Sequence, residues 1–158
     1  MRSRRIGRRA LALACVGLVP LACAAPRSVT DDGATMDAPL PDRSSPLRIA
    51  YGDDPVQFGD LYLPDAAGAA DVLPVVVLIH GGFWRNRYAL DLMVPLADDL
   101  VGRGYAAWNI EYRRVGDDGG GWPGTLTDVA AAIDRLATIA PEHGLDLTRV
   151  AIVGHSAG

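Results

Sequence analysis

The sequence predicts an α/β fold in which helices cover both faces of a largely parallel sheet. Two runs of mostly β-branched residues, 74–79 and 150–153, are continuously apolar, and each leads into a glycine-containing turn. Between these runs, apolar residues recur at helical spacing. Buried strands that alternate with amphipathic helices are the pattern of a parallel sheet with helices on both sides.

The first predicted element is an antiparallel hairpin. Residues 47–51 and 56–64 partly alternate between apolar and polar side chains, and the Gly-Asp-Asp-Pro sequence at 52–55 forms a turn between them. Residues 64–71, rich in Ala, Gly and Asp, then form the loop that leads into the third strand.

A helix is predicted after the third strand. It begins just before Pro95, because proline is tolerated only in the first turn of a helix, and it ends at Arg103 and Gly104. Residues 105–112 form the fourth strand. The apolar positions of the helix are Leu92, Met93, Leu96, Ala97, Leu100 and Val101.

A second helix follows a glycine-rich loop. Thr125 is its predicted N-cap, with Asp128 three residues later in a capping box, and Pro141 is its predicted stop. Residues 146–149 then turn the chain into the fifth strand. The predicted apolar stripe of this helix consists of Leu126, Val129, Ile133, Leu136 and Ala140.

The fifth strand ends in a Gly-x-Ser-x-Gly sequence at residues 154–158. A serine at the tip of a sharp strand-to-helix turn has strained backbone, and side chains at Gly154 and Gly158 would collide across that turn. The hydroxyl of Ser156 would then project above the carboxyl end of the strand, and the N–H of Ala157 would face a developing oxyanion. A glycine-rich turn without chemistry is the alternative interpretation of the pentapeptide.

The third strand leads into the sequence His-Gly-Gly-Phe-Trp at residues 80–84. With the serine pentapeptide, this motif resembles the α/β-hydrolase superfamily, and more narrowly the esterase branch of arylformamidases (kynurenine formamidases) and bifunctional feruloyl and acetyl-xylan esterases. The resemblance covers about residues 47–158. It implies that this region is the N-terminal part of an α/β-hydrolase domain, truncated after the fifth strand and the nucleophile elbow.

The resemblance also implies the roles of several residues. Ser156 would be the nucleophile, and the backbone N–H groups of Gly82, Phe83 and Ala157 would form the oxyanion hole. The function implied is that of an exported serine hydrolase, a carboxylesterase or arylformamidase, which acts on a small ester or formamide through an acyl-enzyme and without a cofactor. Two alternatives remain: a serine peptidase or acyltransferase on the same scaffold, and a non-catalytic surface lipoprotein.

The general base and its acid are not expected among the residues of this chain. In the superfamily an Asp or Glu and then a His follow the serine, so both would come after Gly158, and we expect the 158-residue chain to be nearly inactive. His80 is predicted to be structural and hydrogen-bonded to its own loop. His155 should face away from the position of the base, and His143 should lie roughly 20 Å from the serine.

Three aromatic residues are candidates for a substrate pocket. Trp84, Tyr112 and Trp122 all lie near the predicted carboxyl edge of the sheet. They would line a pocket for an aromatic acyl or leaving group, or they would pack in the core over the sheet. No metal site is expected, because three scattered histidines without thiols do not form a zinc cluster.

The first 22 residues are predicted to be a signal peptide. Five arginines precede a short apolar segment of about 13 residues, which is too short to span a membrane. The sequence Leu-Ala-Cys at 21–23 predicts lipidation of Cys23 and a membrane anchor, whereas an A-x-A cleavage at 22–24 would release a secreted protein. Export by the general or by the twin-arginine pathway is left open. Residues 23–46 are predicted to be a disordered linker that contains four prolines.

The charge of the chain argues against nucleic acid as a partner. Without the five arginines of the signal peptide, ten basic and nineteen acidic residues remain, a net charge of about −9. A membrane contact is expected only through a lipid on Cys23.

Overall fold

The computed structural model describes residues 45–65 and 72–158. The predicted signal peptide and nearly all of the predicted linker lie outside the described residues, as does Cys23. In chain order, the elements are β1 (Leu47–Ala50), β2 (Phe58–Tyr62), β3 (Leu73–Ile79), a 3-10 helix (Leu90–Met93), α1 (Val94–Gly102), β4 (Ala106–Ile110), α2 (Gly124–His143) and β5 (Leu145–Gly154).

The strands form one sheet in the order β1-β2-β4-β3-β5. β1 pairs with β2 and β2 with β4 in antiparallel fashion, whereas β3 lies between β4 and β5 and is parallel to both. The predicted hairpin and the predicted parallel unit are therefore both confirmed. Among the described residues, no helix has the length and apolar composition needed to cross a bilayer.

One face of the sheet packs against α2. Val75 and Val77 of β3 and Trp108 of β4 are buried there against Leu136 of the helix. The indole Nε1 of Trp108 donates a hydrogen bond of 2.9 Å to the carbonyl of Ala132, so the largest core side chain is also satisfied.

The opposite face packs against α1 and the 3-10 helix. Val76 and Leu78 of β3 and Ala107 of β4 are buried with Met93 and Ala97. Successive residues of β3 therefore enter different cores, which is why this strand is continuously apolar. Helices on both faces of the sheet were predicted and are confirmed.

The first helix begins and ends where the sequence predicts. Pro95 lies in the first turn of α1, where no intrahelical N–H donor is needed. Gly104 follows the helix with a φ of 85°, a left-handed conformation that favours glycine.

The predicted capping box of α2 is wrong. The helix begins at Gly124 with Pro123 as its N-cap, and no side chain caps it. The hydroxyl of Thr125 instead donates to the carbonyl of Arg113 and accepts the N–H of Gly121, while the carboxylate of Asp128 binds Arg113. Both polar side chains have tertiary partners that replace the local capping bonds.

Two further predictions for α2 need correction. Leu126 is 54% exposed, so it is not part of the buried stripe, which is rotated towards Ala132 and Ile139. The helix also continues through Pro141 to His143 and ends at Gly144, whose φ is 63°. A proline this close to the end of a helix removes only one backbone hydrogen bond, so the last turn persists.

The predicted turn before the fifth strand is an irregularity within β5. The pairing with β3 shifts register between Pro74 and Val75, and the latter pairs with Val150. The side chain of Asp146 accepts hydrogen bonds from the backbone and hydroxyl of Thr148 across this irregularity. From Val150 to Gly154 the ladder is regular, and it ends level with the end of β3.

An ion pair with a buried carboxylate joins three parts of the fold. The carboxylate of Asp128 on α2, which is 1% exposed, accepts hydrogen bonds from the Arg113 guanidinium at 2.7 and 2.8 Å and from Gln57 Nε2 at 2.7 Å. Burial alone would raise the pKa of Asp128, but the hydrogen bonds from Arg113 and Gln57 outweigh it, and the pKa is lowered. The pair therefore fixes the hairpin turn, the segment after β4 and α2 to one another.

We expect Asp128→Ala to lower the free energy of unfolding by about 3 kcal/mol, because it leaves the Arg113 guanidinium without its partner. An acid whose folded pKa is lowered stabilises the protein above its unfolded pKa, and this contribution is lost as the pH falls through the folded pKa. Urea denaturation should therefore show a difference in the free energy of unfolding between wild type and variant. This difference should be fully present at about pH 6 and should shrink below about pH 4.

Asp134→Ala is the matched control, because Asp134 lies exposed on the same helix. It should change stability by less than about 0.5 kcal/mol. Equal effects of the two substitutions, or a difference that does not depend on pH, would contradict the assignment.

Candidate active site

β5 ends in a sharp turn with Ser156 at its tip. Ser156 is exposed and has a φ of 58°, a left-handed conformation that is strained for a residue other than glycine. The turn is closed by a hydrogen bond of 3.0 Å from the N–H of Gly158 to the carbonyl of His155. A Cβ atom on Gly154 would lie 2.5 Å from the carbonyl oxygen of Gly158. The backbone thus comes too close to itself for any side chain at position 154.

The loop after β3 lies directly against this turn. A Cβ atom on Gly81 would lie 2.9 Å from Cβ of Ser156 and 3.2 Å from the backbone nitrogen of Ala157. The N–H of His155 donates a hydrogen bond of 3.0 Å to the carbonyl of Ile79, which ties the two chain segments together. The two motifs that the sequence singled out therefore meet at one edge of the sheet.

The loop itself has three successive residues with positive φ. The φ angles are 118° for Gly82, 56° for Phe83 and 55° for Trp84. Left-handed backbone at residues other than glycine costs on the order of 1–3 kcal/mol each and is typical of functional sites. Within the described residues, the backbone N–H groups of Gly82, Phe83 and Ala157 donate no hydrogen bond. These donors are therefore free to bind a negatively charged oxygen.

His80 is fully buried beneath the loop. Its Nδ1 lies 2.8 Å from the carbonyl oxygen of Gly81, and its Nε2 lies 2.9 Å from a carboxylate oxygen of Glu111. The Gly81 carbonyl and the Glu111 carboxyl group therefore hold the ring at both of its nitrogens. The ring also stacks on Tyr112 at 4.4 Å. The predicted structural role, with a hydrogen bond to the loop, agrees with this geometry.

The other histidines are not placed to serve Ser156. His143 lies in the last turn of α2, at the opposite end of β5. The ends of β5 pair with Leu73 and Ile79 of β3, so the strand separates the two residues by roughly 20 Å. His155 is exposed and adjacent in sequence. Within the described residues, no hydrogen bond joins the serine hydroxyl to a histidine.

Two of the three candidate pocket aromatics line a cavity of about 330 Å³. Trp84 and Trp122 form its walls together with Val115 and Leu126. Tyr112, in contrast, is 1% exposed, and its hydroxyl donates to the carbonyl of His80. For Tyr112 the structure therefore favours the second of the two sequence interpretations, a core aromatic.

A second cleft of about 520 Å³ shares Val115 with this cavity. Phe83 forms part of its wall. Its other lining residues are Arg85, Asn86, Arg87 and Gly116. In the described part of the chain, no group of three or more His, Cys, Asp and Glu side chains could hold a metal ion.

The sequence analysis missed the carboxylate that supports this site. Glu111 is 3% exposed, and in addition to His80 it accepts hydrogen bonds from the N–H groups of Leu90 and Tyr112 and pairs with Arg114 at 3.0 Å. A glutamate directly after the mostly apolar strand β4 is the sequence signal for this role.

The chain is similar in sequence to known esterases. Residues 59–158 match the family model BD-FAE. Esterase LipC of Mycobacterium tuberculosis is 26% identical over 143 residues, which cover 82% of this chain and 35% of that protein. The chain thus spans about a third of the length of this curated relative.

Solved structures of esterases have the same fold. A thermophilic esterase from Thermogutta terrifontis, Est2, aligns with a TM-score of 0.66 and 25% identity, over 75% of this chain and 42% of that chain. A bacterial heroin esterase aligns with a TM-score of 0.62 and 30% identity, over 75% and 38% of the two chains. The predicted α/β-hydrolase fold is confirmed.

We expect Gly154→Ala to lower the free energy of unfolding by about 3 kcal/mol, because its methyl group would overlap the Gly158 carbonyl. Gly104→Ala is the matched control. It introduces a strained φ of 85° but meets no atom within 4 Å, and should cost about 1 kcal/mol. Thermal unfolding of both variants measures the difference, and an equal or smaller effect at position 154 would contradict the close approach.

Proposed function

Because the chain belongs to the BD-FAE family, an esterase-type family of α/β-hydrolases, we propose that it is the nucleophile-bearing part of an exported serine hydrolase. The proposed substrates are small carboxylic esters or aryl formamides. The observation that supports this proposal most strongly is the exposed Ser156 with left-handed backbone, which lies against a loop whose N–H groups are unpaired.

In the proposed reaction, the Ser156 hydroxyl attacks the substrate carbonyl carbon, and a general base takes its proton. The carbonyl oxygen becomes an oxyanion that accepts hydrogen bonds from Ala157 and from Gly82 or Phe83. When the intermediate collapses, the bond to the leaving group breaks, and the leaving group takes the proton from the base. Water then attacks the acyl-enzyme by the same route, which releases the acid and restores the serine.

We expect none of the three histidines of this sequence to act as the general base. His80 is held by Gly81 and Glu111, and neither His143 nor His155 contacts the serine. We therefore assign to the chain the nucleophile and the oxyanion donors, and expect a histidine with its carboxylate to complete the site. Without them, the oxyanion donors and substrate binding alone would leave only residual catalysis.

The cavity between Trp84 and Trp122 is the proposed site for an aromatic acyl or leaving group. Trp84 directly follows the proposed oxyanion donors Gly82 and Phe83 in the sequence. A substrate whose carbonyl lies at these donors would therefore have this cavity beside it for an aromatic group. The walls are almost entirely apolar, and aromatic rings gain from stacking on one another in addition to burial.

Export and a lipid anchor on Cys23 also belong to the proposal. They rest on the basic, then apolar N-terminal sequence and on the Leu-Ala-Cys that follows it. The mass of the mature N terminus distinguishes an acylated Cys23 from a cleaved, secreted protein.

In the natural protein that contains this chain, we expect Ser156→Ala to abolish labelling by a fluorophosphonate probe and to lower kcat/KM for 4-nitrophenyl acetate by about 10⁴-fold or more. Ser45→Ala, at an exposed position of the described chain, is the matched control and should label normally. Labelling that persists in the Ser156 variant would reject the nucleophile, and no labelling of wild type would favour a non-catalytic module.

We expect Trp122→Ala to raise KM for 2-naphthyl acetate by about fivefold, because the cavity loses one of the two tryptophans that contact the naphthyl ring. KM for ethyl acetate should be nearly unchanged. Tyr105→Ala removes another partly exposed aromatic, at the opposite end of β4, and should affect neither substrate. Equal changes for both esters would argue against an aromatic subsite.

A further inference from the structure

The pairing of arginines with carboxylates singles out the cleft beside Phe83. Eight arginines lie in the described residues, and five of them pair with a carboxylate. The other three have no acidic partner among the described residues: Arg85, Arg87 and Arg135. Two of these three line the same cleft.

The absence of partners is notable because the protein is acidic. The chain has nineteen acidic and fifteen basic residues, so a carboxylate is available for most surface arginines. Arg85 and Arg87 nevertheless face a cleft whose described walls contain no acidic side chain. The charged residues that line this cleft are therefore both cationic, although the chain as a whole is acidic.

Hydrogen bonds fix the backbone of this segment. The N–H of Arg85 donates to the carbonyl of Gly82 at 3.0 Å, and the side chain of Asn86 donates to Asp117 at 3.1 Å. The Arg87 guanidinium lies 4.7 Å from the centre of the Tyr88 ring and donates to the Tyr88 hydroxyl at 2.8 Å. That bond uses one of five guanidinium N–H donors, so the others remain for a ligand.

We propose that Arg85 and Arg87 form a subsite for a carboxylate of the substrate, so that the preferred substrates are negatively charged esters. This inference rests on the proposed function, because Phe83 contributes both an oxyanion N–H and a wall of this cleft. A guanidinium binds a carboxylate through two parallel hydrogen bonds, which gives orientation as well as affinity. The carboxylate belongs either to the acyl group or to the alcohol, and the chemistry of the subsite is the same for both.

The test compares charged and neutral esters in the natural protein that contains this chain. On the acyl side, mono-4-nitrophenyl succinate is compared with 4-nitrophenyl valerate; on the alcohol side, 4-acetoxybenzoate is compared with phenyl acetate. In one of the two pairs, the double substitution Arg85→Gln and Arg87→Gln should lower kcat/KM for the charged ester by about tenfold, mainly through KM. The neutral ester should change by less than roughly twofold.

Two controls separate a specific subsite from general charge. Arg103→Gln removes an exposed arginine that follows α1 and pairs with Asp99. In both pairs of esters, it should leave the ratio of kcat/KM for the charged ester to kcat/KM for the neutral ester unchanged. Double substitution with lysine keeps the charge but not the paired donors, and should restore only part of the preference. The preference itself should decline as salt is raised from about 0.05 to 0.5 M.

A binding measurement separates failure of this inference from failure of the proposed function. Ser156→Ala protein is titrated with mono-4-nitrophenyl succinate and with 4-acetoxybenzoate, with and without the two glutamines. Weaker binding of one ester in the presence of the glutamines supports the subsite even if no ester is hydrolysed. The proposed subsite would be overturned if the glutamines left the ratio of kcat/KM for charged and neutral esters unchanged, or if they left the affinity for both charged esters unchanged. The two arginines would then be solvated surface residues.

Discussion

The close approach of two backbone segments at one edge of the sheet is the constraint on which the site depends. Parallel pairing of β3 with β5 brings Ile79 level with Gly154, so both strands end together. The chain then turns twice in a space that has no room for a Cβ on Gly81 or Gly154. Gly81 is needed where the loop meets the serine turn, and Gly154 is needed where that turn approaches itself at Gly158. A larger residue at position 81 would separate the loop from the serine.

A buried polar network supports that contact from below. His80, Glu111 and Arg114 are each less than 5% exposed, and buried polar groups are costly unless they are hydrogen-bonded. The compensation is extensive here, because the Glu111 carboxylate interacts with both of the other side chains and accepts two backbone N–H groups. The imidazole then holds the Gly81 carbonyl. The loop is therefore fixed at its base, although its tip is exposed.

Structural features could be predicted from the sequence where the interacting residues lie close together in the chain. The strands, α1 and the serine turn follow local patterns of apolar residues, proline and glycine, and the structure reproduces them. Thr125 and Asp128 resembled a capping box because that pattern is local, but each has a partner from the segment after β4. The role of Glu111 and the burial of Tyr112 depend on contacts across about thirty residues. No spacing rule for a single element could have found them.

The backbone conformation of the loop links the oxyanion donors to the two cavities. Left-handed φ angles at Phe83 and Trp84 leave the N–H of Phe83 without a partner, and the carbonyl of Trp84 accepts the N–H of Val115 at 2.7 Å, which offsets part of the strain. Their side chains are accordingly exposed, by 76% and 46%. Although adjacent in sequence, the two rings line different cavities, one beside the unpaired arginines and the other against Trp122. Charge and aromatic character are thus presented in two different cavities that share Val115.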